Sequence, residues 1–291
     1  TVATRIGKIR GISGNDVTSF LGVRYGGPPV GARRFMASEL AEGWSGVYEA
    51  TNFPSRAMQT RSLSTLGLPV GGSLSEDCLF LNIVTPSVTG SLRPVIVWFH
   101  GGGFVAGSAN EYDGTVLAGQ GDVVVVTVNA RLGAFGFLDF SQFGSEYLGS
   151  ASNGLRDQIL ALQWISRNIE DFGGDPKNVT ISGQSSGASS VLSLLASPSA
   201  DALYHKAIAC SPTAVYNTKT DRAEDLSDRL KCTPDDCLEI LRDATAEELL
   251  GLQIGARITV DGHVVTRSTF AAIEERGMNG VPLLTGTTAT E

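Results

Sequence analysis

Two nearly continuous apolar runs, Pro94–Phe99 and Val123–Val128, most constrain what this chain can fold into. Val-rich runs with no polar alternation suit strands covered on both faces, as in a parallel sheet flanked by helices. The surrounding segments alternate in the same sense. Leu79–Val84 reads as a strand with Leu79, Leu81 and Ile83 on one face. Gly154–Phe172 reads as a helix, because Leu155, Ile159, Leu162, Ile165 and Ile169 form one apolar stripe; Gly173-Gly174-Asp175-Pro176 ends it. Further on come a strand over Val179–Ser182, a helix over Ala188–Leu195 and a strand over Ala207–Ala209. Asp225–Gln253 reads as helical with a break at Thr233-Pro234, followed by a helix over Thr269–Arg276 and a strand over Val281–Leu284. Upstream, Thr4–Ile12 and Val17–Tyr25 are β-rich, while Gly26–Ala41 and Gln59–Ser75 read as loops. Strands alternating with helices predict an α/β fold with a mostly parallel central sheet.

Composition narrows the function classes. A chain of 291 residues can bury one large core or two modest ones. The net charge is 22 − 30 = −8 with no basic cluster, which argues against nucleic-acid binding. No apolar run approaches the roughly 20 residues needed to span a bilayer. The chain opens Thr-Val-Ala-Thr-Arg, without Met and without a hydrophobic leader. Of the four cysteines, Cys78, Cys210, Cys232 and Cys237, the last two are spaced as in a small disulfide loop, and four reduced thiols is the alternative. No Cys/His cluster has zinc-like spacing, so no metal is expected.

The sharpest chemical signal is Gly183-Gln184-Ser185-Ser186-Gly187, between the strand Val179–Ser182 and the helix at Ala188. A Ser on a tight strand-to-helix turn is pushed out at the top of a sheet. The helix N-terminus behind it aims free N–H groups at any oxyanion forming there. The pentapeptide alone is weak; its place between strand and helix strengthens it against the alternative of a Gly/Ser-rich turn. A second element, His100-Gly101-Gly102-Gly103-Phe104, follows the buried strand Pro94–Phe99. Its glycines leave backbone N–H groups unobstructed, as in the oxyanion loops of lipases and esterases. It lacks the Lys-Ser/Thr ending of a phosphate loop.

With these motifs the sequence resembles the type-B carboxylesterase/lipase family, which includes cholinesterases. The resemblance runs through Phe20-Leu-Gly-Val-Arg-Tyr, Pro28-Pro-Val-Gly, Glu76-Asp77-Cys78-Leu79, the His-Gly-Gly-Gly loop and Asn129-Ala-Arg-Leu-Gly. It continues through Phe135-Gly-Phe-Leu, Asn153-Gly-Leu-Arg-Asp-Gln and Phe172-Gly-Gly-Asp-Pro into the Ser185 turn. It implies a single α/β-hydrolase domain over 1–291, the N-terminal part of one, with helices on both sheet faces and an antiparallel N-terminal edge.

The implied enzyme is a serine carboxylesterase. Ser185 would attack the ester carbonyl and form an acyl-enzyme. Gly102, Gly103 and Ser186 would supply the oxyanion-hole N–H groups. Glu291 matches the family's triad acid in Val281-Pro-Leu-Leu-Thr-Gly286-Thr-Thr-Ala-Thr-Glu291. His100, His205 and His263 all precede that acid, so the catalytic His is expected beyond residue 291, and a core cut after an acid-bearing strand would leave a sheet edge open. The resemblance also assigns supporting roles: His100 to shaping the glycine loop, Ser211 to the acid, Arg34–Glu76 and Arg131–Asp157 to ion pairs around the site. It makes Cys232–Cys237 a disulfide and, with Met58 at the usual partner's place, leaves Cys78 an unpaired buried thiol.

Gln184 replaces a common Glu, and Gln59–Ser75 lacks the Trp that holds choline by cation–π attraction. Both point to a neutral or anionic small-molecule ester, without metal or organic cofactor. A non-catalytic adhesion or binding homologue and an interfacial lipase are the alternatives. The expected compartment is secreted or periplasmic, with a cytoplasmic one left open.

Overall fold

The computed structural model describes residues 1–14, 16–60, 71–213, 232–233, 236–252, 256–278 and 280–289. A small sheet joins β1 (Val2–Thr4), β2 (Gly7–Arg10) and β5 (Val47–Glu49). The large sheet joins β3 (Ile12–Gly14), β4 (Val17–Arg24), β6 (Phe80–Thr85), β7 (Arg93–Phe99), β8 (Val124–Val128), β9 (Gly174–Gln184), β10 (Lys206–Cys210) and β11 (Leu283–Gly286). Its order is β11-β10-β9-β7-β8-β6-β4-β3. From β8 to β11 every pairing is parallel; β3–β4, β4–β6 and β6–β8 are antiparallel, which makes the antiparallel N-terminal edge.

The helices are α1 (Thr115–Gly121), α2 (Gly133–Phe137), α3 (Asn153–Asn168), α4 (Ser186–Ala196), α5 (Cys237–Asp243), α6 (Ala246–Gly251) and α7 (Thr269–Arg276). The alternation inside β8 shows how both sheet faces are covered. Val124, Val126 and Val128 face the main core with Leu155, Ile159, Leu162 and Ile165 of α3 and Val191 of α4. Val125 points the other way, to Ala118 of α1. This is the two-sided burial that the unbroken Val run predicts.

Several boundaries differ from the sequence expectation. The helix expected over Gly154–Phe172 is α-helical only to Asn168 and closes as a 3-10 turn over Ile169–Phe172. Gly173 then takes φ 82°, and a Cβ there would meet Ser87 O at 2.1 Å. β9 extends well upstream of Val179, because Gly174 pairs with Arg93 before the register shifts at Val95. β6 is buried along its whole length rather than on one face. Asn82 is tolerated inside it because its amide is spent: Oδ1 accepts Gly22 N–H at 3.0 Å, and Nδ2 donates to Thr127 Oγ1 at 3.2 Å. The β-rich Thr4–Ile12 is divided between the two sheets. Of Asp225–Gln253, the described part forms two helices, because Thr245 starts a new one with a capping box to Glu248. The last strand sits at Leu283–Gly286 instead of Val281–Leu284. The short α1 and α2 had no periodic signal.

A second core gathers Phe35, Met58, Phe135, Phe140, Leu241 and the bridged pair Cys232–Cys237. Cys78 is buried and unpaired, and Cys210 is exposed and unpaired. Arg34 ties this core to the rest. Its guanidinium pairs with Glu76 and donates to the carbonyls of Leu241 (3.2 Å), Arg242 (2.7 Å) and Ala244 (2.6 Å) at the end of α5. A cation there satisfies carbonyls that the helix leaves open. Among the described residues, no helix is long and apolar enough to cross a membrane.

Candidate active site

Ser185 joins β9 directly to α4. Its backbone sits at φ 55°, ψ −124°, a conformation a non-glycine residue holds only when its surroundings enforce it. They do so here. Ser185 N–H donates to Cys210 O of the neighbouring strand at 3.0 Å, and Ser185 O accepts the N–H of Ser189 at 2.9 Å. The flanking glycines have no room for a side chain. A Cβ on Gly187 would lie 2.1 Å from Phe99 O, and one on Gly183 would lie 2.5 Å from the Gly187 carbonyl. The turn is thus wedged between β7 and the first turn of α4, with Ser185 partly exposed at the tip.

The glycine loop arrives beside it from the end of β7. A Cβ on Gly101 would stand 3.4 Å from Ser185 Cβ and 2.9 Å from Gln184 Oε1, so the loop lies against the turn. Gly102 and Gly103 have φ 113° and 64°. The Gly102 carbonyl accepts the N–H groups of Val105 (3.2 Å) and Ala106 (3.1 Å). Among the described residues, nothing accepts the N–H of Gly102 or Gly103. Ser186 is the first residue of α4, two positions earlier than expected, so its N–H has no acceptor within the helix. His100 donates from Nδ1 to Gly101 O at 2.8 Å, and burial lowers the pKa of the ring, which favours neutral imidazole.

These elements open on one cavity of about 300 Å³, whose walls include Gly103, Phe104, Ser185, Ser186, Thr213 and Arg257. A larger cavity of about 390 Å³, between Leu195, Tyr204 and Met278, gathers no comparable set of groups. The structure therefore brings together Gly103, Ser185 and Ser186, with Gly102 in the same loop. Gln184 and His100 are not among the residues that line the Ser185 cavity; Gln184 is exposed against Gly101 of the glycine loop, and His100 is bonded to Gly101 O. Ser211, at φ 51°, donates its N–H to Gly286 O at 2.7 Å and so joins the ends of β10 and β11. Glu291 lies outside the described residues. His205 accepts the Val179 N–H at Nδ1, and His263 sits in an exposed turn around Asp261; neither lines the cavity.

Sequence reading missed Ser189, Thr213 and Arg257. Ser189 follows Ser185 by one helical turn and could have been found from that spacing. Its hydroxyl donates to Thr213 O at 2.8 Å and accepts Thr213 N–H at 3.0 Å, which holds that wall of the cavity. Nothing local marks Thr213 or Arg257.

The expected ion pairs are both present, and they are not surface pairs. Arg131 and Asp157 are joined by two contacts of 2.8 Å with side chains 3% and 0% exposed, and Arg131 also donates to Met36 O.

A sequence profile of the carboxylesterase family matches residues 1–291. Para-nitrobenzyl esterase of Bacillus subtilis (strain 168) is 39% identical, over 100% of this chain and 62% of its own length. Carboxylesterase 3 of Homo sapiens is 38% identical, over 98% of this chain and 54% of its own. A thermophilic para-nitrobenzyl esterase structure superposes with a TM-score of 0.92 at 37% identity, covering 100% of this chain and 63% of that one. The carboxylesterase EST55 of Geobacillus stearothermophilus at pH 6.2 superposes at 0.89 and 38% identity, covering 100% and 61%. The chain thus spans somewhat over half the length of these relatives. On profile, sequence and superposition alike, it belongs to the carboxylesterase family and has the α/β-hydrolase fold.

Proposed function

We propose that the protein hydrolyses carboxylic esters through Ser185. The observation that carries this reading is the strained Ser185 turn, open to a cavity bordered by unclaimed backbone N–H groups. A substrate carbonyl seated over Ser185 Oγ would develop negative charge on its oxygen during attack. The N–H groups of Gly102, Gly103 and Ser186 are the donors for that charge, and their positions are set before substrate arrives. Collapse expels the alcohol and leaves an acyl group on Ser185, which water removes. Glu291 is the proposed acid, and the base is a His placed by family order beyond residue 291. His100, held neutral and bonded to Gly101, braces the loop instead of shuttling protons. Residues 1–291 act in this reading as the N-terminal part of one hydrolase domain.

The expected substrate is a neutral or anionic ester, since Gln184 adds no negative charge beside Ser185. The Cys232–Cys237 bridge supports a secreted or periplasmic setting. Stoichiometric labelling by an organophosphate tests the reading. Wild-type protein should incorporate label on Ser185, and Ser185→Ala should lose label and at least about 10³-fold of kcat while still folding. An intact chain that never labels would favour a binding homologue.

A further inference from the structure

Arg257 stands on the wall of the same cavity as Ser185. Its neighbours Ala256 and Ile258 are buried at 7% and 3% exposure, so the backbone is anchored while the Arg257 side chain itself is exposed. Among the described residues, no carboxylate pairs with its guanidinium, whereas Arg24, Arg34, Arg93 and Arg131 each hold one. No Asp or Glu is among the described residues that line the cavity. Phe104 and Ile258 border it with apolar surface, as is usual for a small-molecule site whose few polar groups fix orientation. A guanidinium presents a planar fork of donors that matches a carboxylate. A cation with no carboxylate partner among the described residues, on the wall of a cavity that Ser185 also lines, suits an acidic group on the substrate.

We propose that Arg257 selects esters whose acyl part ends in a free carboxylate, that is, monoesters of dicarboxylic acids. This rests on the esterase reading above and names its substrate class. Ester cleavage at Ser185 is unchanged; Arg257 touches only the remote carboxylate and fixes which carbonyl is presented. Such binding energy is realised in ground and transition states alike, so it appears in KM and kcat/KM before kcat.

The test compares monoethyl adipate with ethyl hexanoate, which differ by one terminal carboxylate. Acid release is titrated near neutral pH with the full chain. Wild type should favour the adipate monoester. Arg257→Gln should lower kcat/KM for it by about five- to tenfold and leave ethyl hexanoate within about twofold. Arg257→Lys should keep part of the preference, and added salt should erode it in wild type. Turnover of both esters with a ratio untouched by Arg257→Gln overturns the inference, as does turnover of ethyl hexanoate alone; the esterase reading survives either result. Turnover of neither ester overturns the esterase reading and the inference with it.

Discussion

A serine held at φ 55° sits in a high-energy backbone conformation, of order 1–3 kcal/mol, that its surroundings must offset. Here the offset comes from the close packing of Gly187 on Phe99 O of β7 and of Gly183 on the Gly187 carbonyl of α4, and from the bond to Cys210 O. The residue just before it, Gln184, is exposed beside the glycine loop, so its charge state can be altered without disturbing the core. Gln184→Glu would add a negative charge next to Ser185. The expected outcome is a two- to fivefold rise in kcat/KM for a choline ester relative to a neutral ester of equal acyl length, about the size of an exposed charge contact. Competition between butyrylthiocholine and a neutral thiobutyrate measures it; an unmoved ratio would remove the argument that position 184 sets charge preference. The Ser185 turn was legible because its cause is local: two glycines, a strand before and a helix after.

At the scale of elements, the connections between strands are locked by charges. Arg131 and Asp157 tie the segment after β8 to α3, out of contact with solvent. Removing one partner of a buried, doubly bonded pair strands the other charge. Asp157→Asn should therefore cost about 3–5 kcal/mol in urea unfolding. The half-exposed pair Arg10–Glu49 is a built-in contrast: Glu49→Gln should cost no more than about 0.5 kcal/mol. Equal losses would mean that burial does not set the value of these pairs. The partners were nameable from family resemblance, but their burial was not, since no pattern in either sequence segment states what covers it. β6 makes the same point. Alternation around Leu81 and Ile83 suggested one covered face, whereas α1 packs over the other.

For the molecule as a whole, thiol chemistry reports on folding. Thiol counting after denaturation without reductant should find two groups, Cys78 and Cys210, with only Cys210 reacting in the native state. Burial raises the pKa of Cys78 well above the usual thiol value, with a further contribution from the charge of Asp157. The unfolded chain releases this proton above about pH 8.5 while the folded chain keeps it, so the unfolded state then binds fewer protons. Stability should be flat with respect to this group below that pH and fall as pH rises above it. Urea midpoints between about pH 8 and 10 should decline less steeply in Cys78→Ala than in wild type. Parallel slopes would show that Cys78 is accessible enough to ionise in the folded state.

The alternation of the core strands with α3 and α4, the buried Val runs, the Ser185 turn and the glycine loop were all determined by the sequence itself. Each depends on neighbours a few residues away, through periodicity, glycine sterics and helix start signals. Only the tertiary structure decided that Thr213 and Arg257 line the same cavity as Ser185, that Ser189 holds Thr213 there, and that both arginine locks are withdrawn from water. Those facts depend on segments far apart in the chain meeting in space, and a contact between distant residues leaves no periodicity in either segment to announce it.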